Sequence, residues 1–528
     1  MEHVILDGGS LTLEAVGHVV YNHIPVSLSA EARERVRRCR IEVENIVGDG
    51  HTVYGINTGF GALKNKRIPR EKLRQLQRNL IASHSTGVGD YFPIEVVRAT
   101  MLLRANSLAG GHSGIRLETL ETLLAMLNKG VHPAVPQQGS VGASGDLAPI
   151  SHLMLVLCRD PEEDRDEDSG RVIIKQNLDR DNLRRVTVSG KQAMKDAGVE
   201  RVTLDAKEGL ALNNGTNVMT AVAVLACIEA RKLMDWSTGI FGCSLESLRG
   251  VSAAYFARIH ELRRHDGQSE VARRVRETTQ GSKLIDSRPG EVQDSYSLRC
   301  FPQVAGSTLA TLDWVCSIVK NECNAVTDNP LIFPDEERKF YSGGNFHGEP
   351  IALACDFLKI AMAELGNIAE RRIFRLLTEH CNNGLPSVLS PNPGLQSGLM
   401  LMQYTAAALV SENKTLAHPA SVDSVPTGGN IEDHVSMGTI AARHLRLVIE
   451  NVRRVLAIEL ICACQALDLR LKLDDDFAGM SPENAFGAGT LRHYQSLRQA
   501  GVRYWERDRV AYPDIERAVQ LLEKEPDA

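Results

Sequence analysis

Residues 139–153 read Gly-Ser-Val-Gly-Ala-Ser-Gly-Asp-Leu-Ala-Pro-Ile-Ser-His-Leu, a Gly-dense stretch that runs straight into an apolar, helix-like run. Within it, Ala143-Ser144-Gly145 offers unusual chemistry. Gly145 has no Cβ, so its backbone nitrogen can approach the Ala143 carbonyl closely enough to attack it. Loss of water from that ring, and of the Ser144 hydroxyl, would leave a dehydroalanine inside a five-membered ring. That would be an electrophile made from the chain's own atoms. Two plainer readings stand beside it. Taken only as small residues, the stretch is a tight loop capping a helix. Ser144 also resembles a hydrolase nucleophile, but Asp146 stands where the elbow pattern G-x-S-x-G wants its last Gly. The residues before it, 131–138, carry two prolines and read as extended coil.

A second constellation tempts a metal reading. His260-Glu-Leu-Arg-Arg-His265 is one residue too long for H-E-x-x-H. Positions five apart lie about 140° apart around a helix, so the two imidazoles could not share an ion, and no metal is expected.

The elements that must position this chemistry are mainly helical. A helix is expected from about 30 to 47, capped by Ser27 or Ser29, with others at 94–109 and 116–129. Residues 51–61 carry three glycines and no helical period, and read as a mobile loop or short hairpin holding Tyr54. An apolar helix is expected from the Asn214 region to about Trp236. Long apolar runs at 303–322, 350–377 and 399–416, and the stripe Leu445, Val448, Ile449, Val452, Val455, Leu456, point to a bundle and to oligomerisation. The expected organisation is mainly α: an N-terminal region, 1–200, with the lid and electrophile loops, a central bundle of long helices, 201–475, and a C-terminal helical tail, 476–528.

Composition bounds the setting. The 528 residues are 43% hydrophobic and 24% charged, enough for a large core without an evident linker. A net charge of −6 argues against nucleic acid as the main partner. Eleven cysteines, an odd count without regular spacing, suit reduced thiols in the cytoplasm. Neither a secretory signal nor a membrane span is evident. The block from Arg159 to Arg185 is densely charged and is expected to be an exposed, partly disordered excursion.

The run GSVGASGDLAPISHL resembles the signature of the aromatic amino-acid ammonia-lyases, and the likeness extends from Tyr54 to about Gln465. That family builds 4-methylidene-imidazol-5-one (MIO) from the matching tripeptide, which implies the same group here from Ala143, Ser144 and Gly145, with no external cofactor. The segment Tyr54-Gly-Ile-Asn-Thr-Gly-Phe-Gly is similar to the family's lid, whose Tyr is the proposed base for the substrate's β-proton. Asn214 matches the Asn near the electrophile and the amine. Gln293-Asp-Ser-Tyr296-Ser-Leu-Arg299 resembles the segment whose Arg holds the substrate carboxylate, and a guanidinium fork suits a carboxylate. Phe346 matches the wall of the ring pocket.

Ser83-His84 and Glu432 resemble the histidine branch, where the acid pairs with imidazole. Asn213, where an aliphatic residue is more usual, and Gly428-Gly429, where Ser-Ala is common, depart from it. The resemblance implies L-histidine converted to trans-urocanate in a homotetramer whose sites combine residues of three chains. The same chemistry on phenylalanine or tyrosine, and a 2,3-aminomutase, remain alternatives. So do a Ser144 hydrolase and an inactive helical scaffold.

Overall fold

A computed structural model of the protein describes residues 2–49, 52–174 and 186–526. It is mainly helical, and the expected helices form close to their expected bounds, at Ala30–Gly48, Ile94–Ala109 and Leu117–Asn128. Local chemistry explains the starts. Ser29 is the cap that forms, its Oγ accepting from the Ala32 N–H at 3.0 Å, which satisfies one of the otherwise unpaired first-turn donors. Thr12 does the same for Leu13–Tyr21.

The chain divides into two compact units. The first comprises Met1–Leu225, Cys316–Asp356 and Pro419–Arg443. Its small strands serve as ties: Val4–Leu6 pairs in parallel with Val26–Leu28, and Val88–Tyr91 pairs antiparallel with Pro136–Gln138. The extended run before the electrophile loop is therefore anchored at its end by a ladder. One core cluster of this unit gathers Cys39, Val43, Ile46, Ile56, Leu73 and Ile332. In the charged block, residues 161–163 and 165–168 are exposed, and Arg171–Ile174 pairs antiparallel with Val186–Ser189. The expectation of partial disorder covers Arg159 to Arg185; within it Arg171–Ile174 is a paired strand, and residues 175–185 lie outside the described residues.

The second unit comprises Ala226–Val315, Phe357–His418 and His444–Ala528. Arg372 and Glu459, both with fully buried side chains, form a two-pronged pair at 2.5 and 2.8 Å. Ser244 Oγ donates to the same carboxylate at 2.7 Å, and the guanidinium lies 5.2 and 5.1 Å from the stacked rings of Phe241 and Phe301. A buried ion pair tolerates desolvation only when every prong is matched in this way. His260 lies within one helix, Ala257–Arg263, and His265 caps the start of the next, Asp266–Thr278, so they do not share a helix at all. The C-terminal tail forms Ala488–Gln499 and Tyr512–Leu522.

The longest helices are Asn217–Ser247, Phe301–Cys323, Glu349–Leu377 and Gly438–Leu473, of 31, 23, 29 and 36 residues. The first runs well beyond Trp236, because small and apolar residues continue to its end and are buried. Among the described residues no helix is long and apolar enough to cross a membrane.

Candidate active site

The site grows from the backbone of the electrophile loop in the first unit. Gly142 and Gly145 both adopt left-handed conformations, with φ of +77° and +74°. At Gly145 this is obligatory on two counts: the conformation disfavours an L side chain, and a Cβ there would lie 2.1 Å from the Gly215 carbonyl oxygen. The neighbouring backbone thus packs directly on the loop. The Gly215 N–H donates to the Ser144 carbonyl at 3.2 Å, and the Asp146 N–H donates to the Gly215 carbonyl at 2.8 Å.

Asp146 locks this arrangement. Its side chain is fully buried, and the Val218 and Met219 N–H groups donate to Oδ2 at 2.9 and 2.8 Å. These belong to the first turn of Asn217–Ser247, where an acid complements both the orphan donors and the helix dipole. Ser140 Oγ donates to Oδ1 at 3.3 Å, and the Thr439 hydroxyl donates to the same oxygen. Burial pushes the Asp146 carboxyl up, and these hydrogen bonds oppose that shift. The following helix, Leu147–Leu157, carries Pro149 in its first turn, where no N–H partner is lost.

Above the loop lies a cavity of about 1010 Å³ whose walls include Tyr54, His84, Ala143, Ser144, Asn214, Phe346 and Glu432. Seven of the residues singled out in the sequence therefore converge. Gly145 lines a smaller cavity of about 230 Å³, together with His84 and Ala143. Gln293, Tyr296 and Arg299 belong to the second unit and are not among the lining residues. Gln293 and Tyr296 are exposed. The Arg299 Nε donates to the Asp294 carbonyl at 3.0 Å, and its guanidinium lies 4.6 Å from the Tyr296 ring.

Each wall residue has a defined setting. Tyr54 receives the Gly61 N–H on its hydroxyl oxygen at 3.4 Å. Burial pushes the Tyr54 phenol above its ordinary value, the carboxylates of Glu432 and Asp328 push the same way, and only the Gly61 hydrogen bond opposes them. His84 Nδ1 lies 3.1 Å from Ser83 Oγ, and burial pushes this imidazole below its usual range. Glu432 Oε2 is buried and has no hydrogen-bond partner among the described residues. Gly428, with φ of +56°, makes room for it, since a Cβ there would lie 1.4 Å from that oxygen.

Asn214 is buried. Its Nδ2 donates to Asp328 Oδ1 at 3.2 Å and reaches the Asn329 carbonyl at 3.4 Å, while Oδ1 has no partner. Arg104, fully buried and lowered by that burial to about 10, fixes the Asn214 carbonyl at 2.5 Å. Asn213 does not line the cavity. It is buried, and its Oδ1 accepts from Ser151 Oγ at 3.0 Å.

Sequence reasoning missed Arg104, the buried ion pair of Lys207 with Asp328, and the ring pair His347 and His434 at 5.6 Å on the cavity wall. None of the three carries a local signal; each depends on chain segments brought together from a distance. Among the described residues no cluster of three or more His, Cys, Asp or Glu could hold a metal ion.

Comparisons with known proteins identify the family. The model of the aromatic amino acid lyase family matches residues 11–499. A histidine ammonia-lyase of Geobacillus thermodenitrificans is 52% identical, over 88% of this chain and 89% of that protein. One of Bacillus subtilis is 51% identical, over 99% of this chain and 97% of that protein. Among solved structures, histidine ammonia-lyase from Trypanosoma cruzi superposes with a TM-score of 0.86 at 41% identity, covering 99% of this chain and 93% of that one. With a family model spanning most of its length and relatives this similar over nearly all of it, the chain belongs to the aromatic amino acid lyase family.

Proposed function

We propose that this protein is a carbon–nitrogen lyase that eliminates ammonia from L-histidine to give trans-urocanate, using an MIO group formed from Ala143, Ser144 and Gly145. The observation that carries the substrate is Glu432. Its buried, unpartnered oxygen belongs to the same cavity as Ser144 and Tyr54. An imidazole N–H would complete that carboxylate, whereas a phenyl ring would leave it unpaired at a cost a specific site does not bear. The similarity to relatives named histidine ammonia-lyase supports the same substrate. The departure at Asn213 does not weaken this reading, because that side chain faces Ser151 rather than the cavity.

The loop is suited to the MIO ring. Ala143 and Gly145 are already bridged to each other, Gly145 is left-handed, and the Gly215 backbone occupies the space a side chain would need. Once formed, the group supplies an electrophilic carbon in the cavity, which addresses the poor leaving tendency of ammonia. The rest falls to side chains. The Tyr54 phenolate takes the β-proton, Phe346 and His84 bound the ring, Glu432 accepts the imidazole N–H, and the Asn214 Oδ1 accepts from the α-amine.

The substrate carboxylate goes to Arg299, with Gln293 and Tyr296 beside it, delivered from another subunit of a homotetramer. Two features support that assembly. The Arg299 Nη groups make no hydrogen bond among the described residues. Trp314, Phe357 and Ile360 also stand exposed along an apolar groove of the second unit, of a kind that monomers seldom leave open. Free cysteines, most of them buried, suit a reducing cytoplasm.

Incubation with L-histidine, L-phenylalanine and L-tyrosine, read at the ultraviolet bands of urocanate, cinnamate and coumarate, tests the assignment. Urocanate alone is expected. Cinnamate or coumarate as the main product, or a β-amino acid, would overturn the substrate.

A further inference from the structure

Asn214 reaches the cavity from the end of a six-residue helix, Glu208–Asn213, that is pinned at its other end by Lys207. Lys207 holds a left-handed conformation, with φ of 73°, and its ammonium pairs with Asp328 Oδ2 at 2.5 Å. Both side chains are fully buried. A carboxylate paired with an ammonium in this way offers the groups around it only acceptor oxygens. The other oxygen of Asp328 already takes the Asn329 N–H at 2.6 Å and faces the Asn214 amide at 3.2 Å. The Asn329 carbonyl, 3.4 Å from the same amide, is likewise an acceptor. Two acceptors on one side of an amide leave a single orientation: the NH₂ edge turns toward them. The carbonyl edge is what remains for the cavity that Asn214 lines, and it is buried without a partner.

We infer that Lys207 and Asp328 are positioning residues whose ion pair fixes the orientation of the Asn214 amide, so that the site presents an acceptor to the substrate's α-amine. The inference rests on the function proposed above. It adds that recognition of the amine is set by a charge pair that is not among the residues lining the cavity. The pair does not touch the substrate. It denies the amide its other orientation, in which an NH₂ group would face the amine, offer its N–H no acceptor and engage the nitrogen lone pair.

The test uses the full-length enzyme and two ligands that differ at the amine, L-histidine as substrate and urocanate as a competing product without one. In Asp328→Asn, the side chain keeps its shape but has one carbonyl oxygen. Lys207 claims that oxygen, so an NH₂ group faces Asn214 and forces its amide to turn over. The expected result is a fall in kcat/KM for L-histidine of roughly tenfold or more, the size of one lost polar contact. The inhibition constant of urocanate should stay within about twofold, within the ordinary scatter of such contacts. Lys207→Met/Asp328→Leu strands no buried charge, so it folds where the single variant does not, and it should show the same split.

Intact mass reports whether each variant still forms the MIO ring, so that loss of the ring is not mistaken for loss of amine recognition. A folded variant that keeps the wild-type kcat/KM, or one that weakens L-histidine and urocanate equally, would overturn the inference. Wild-type enzyme that makes no urocanate would instead overturn the function on which it rests.

Discussion

Asp146 and Glu432 are two carboxylates of one compact unit, and their surroundings treat them in opposite ways. Asp146 is met by two backbone N–H groups and two hydroxyls. Glu432 keeps one buried oxygen with no partner. A buried polar group left open carries a desolvation cost of about 1–3 kcal/mol, which a fold bears where a ligand will fill the gap. On the proposed function, the completed carboxylate belongs to the architecture and the incomplete one to recognition. The glycines divide in the same way. Gly145 yields to rigid backbone, whereas Gly428 yields only to the flexible end of Glu432.

Changes in the braced loop should be all-or-nothing, and changes around Glu432 graded. Ser144→Ala removes the atom the electrophile needs, so urocanate formation should fall by roughly 10⁴-fold or more. A purified variant with near-wild-type turnover would break the comparison outright. Tyr54→Phe should cost about 10²–10⁴-fold in kcat, the range of a lost general base.

The pH dependence follows from the direction of the Tyr54 shift. Because its phenol is raised above 10.0, kcat/KM should keep rising past neutrality in the wild type, and Tyr54→Phe should lack that limb. The sign for stability is set by the same shift. The neutral, buried phenol contributes stability that is fully present below pH 10 and is lost as pH rises through the higher folded value. Alkaline urea titrations of the two proteins should therefore diverge only at the high end.

The third test sets the two acids directly against each other. Asp146→Asn places an amide NH₂ among four donors and should lower the unfolding free energy by about 1–3 kcal/mol. Glu432→Gln should leave unfolding within about 0.5 kcal/mol, as expected away from a satisfied network. It should still lower kcat/KM for L-histidine by roughly 10-fold to 100-fold. If the two substitutions exchanged these outcomes, the division would be wrong. The smallest effect is expected at Gly428→Ala, where displacing the Glu432 carboxylate should cost roughly threefold to tenfold in kcat/KM. Because both act through one carboxylate, the effect should vanish in a Glu432→Gln background.

Much of the fold was legible in the sequence because helices announce themselves locally. Ser29 before an amphipathic run, and unbroken apolar stripes, set bounds that the structure matches to within a few residues. The long helix beginning at Asn217 ran past its expected end because nothing at Trp236 breaks it. The lining residues of the cavity were reached through family resemblance, since nothing local in Asn214 or Phe346 reveals that they share a wall. What stayed hidden depends on distance along the chain. Lys207 and Asp328 are 121 residues apart, and Asp146 caps a helix more than 70 residues away, so neither pairing leaves a pattern within any window. Positive φ at Lys207 is equally invisible, because a lysine there gives no turn signal.

The central claim is that three small residues held by Asp146 and Gly215 close into a ring, and it is tested most directly by the intact mass of freshly purified wild-type protein. Cyclisation and dehydration predict a chain two waters lighter than its encoded sequence, with Ser144→Ala failing to lose the serine's water. A wild-type mass equal to that of the encoded chain would contradict the account.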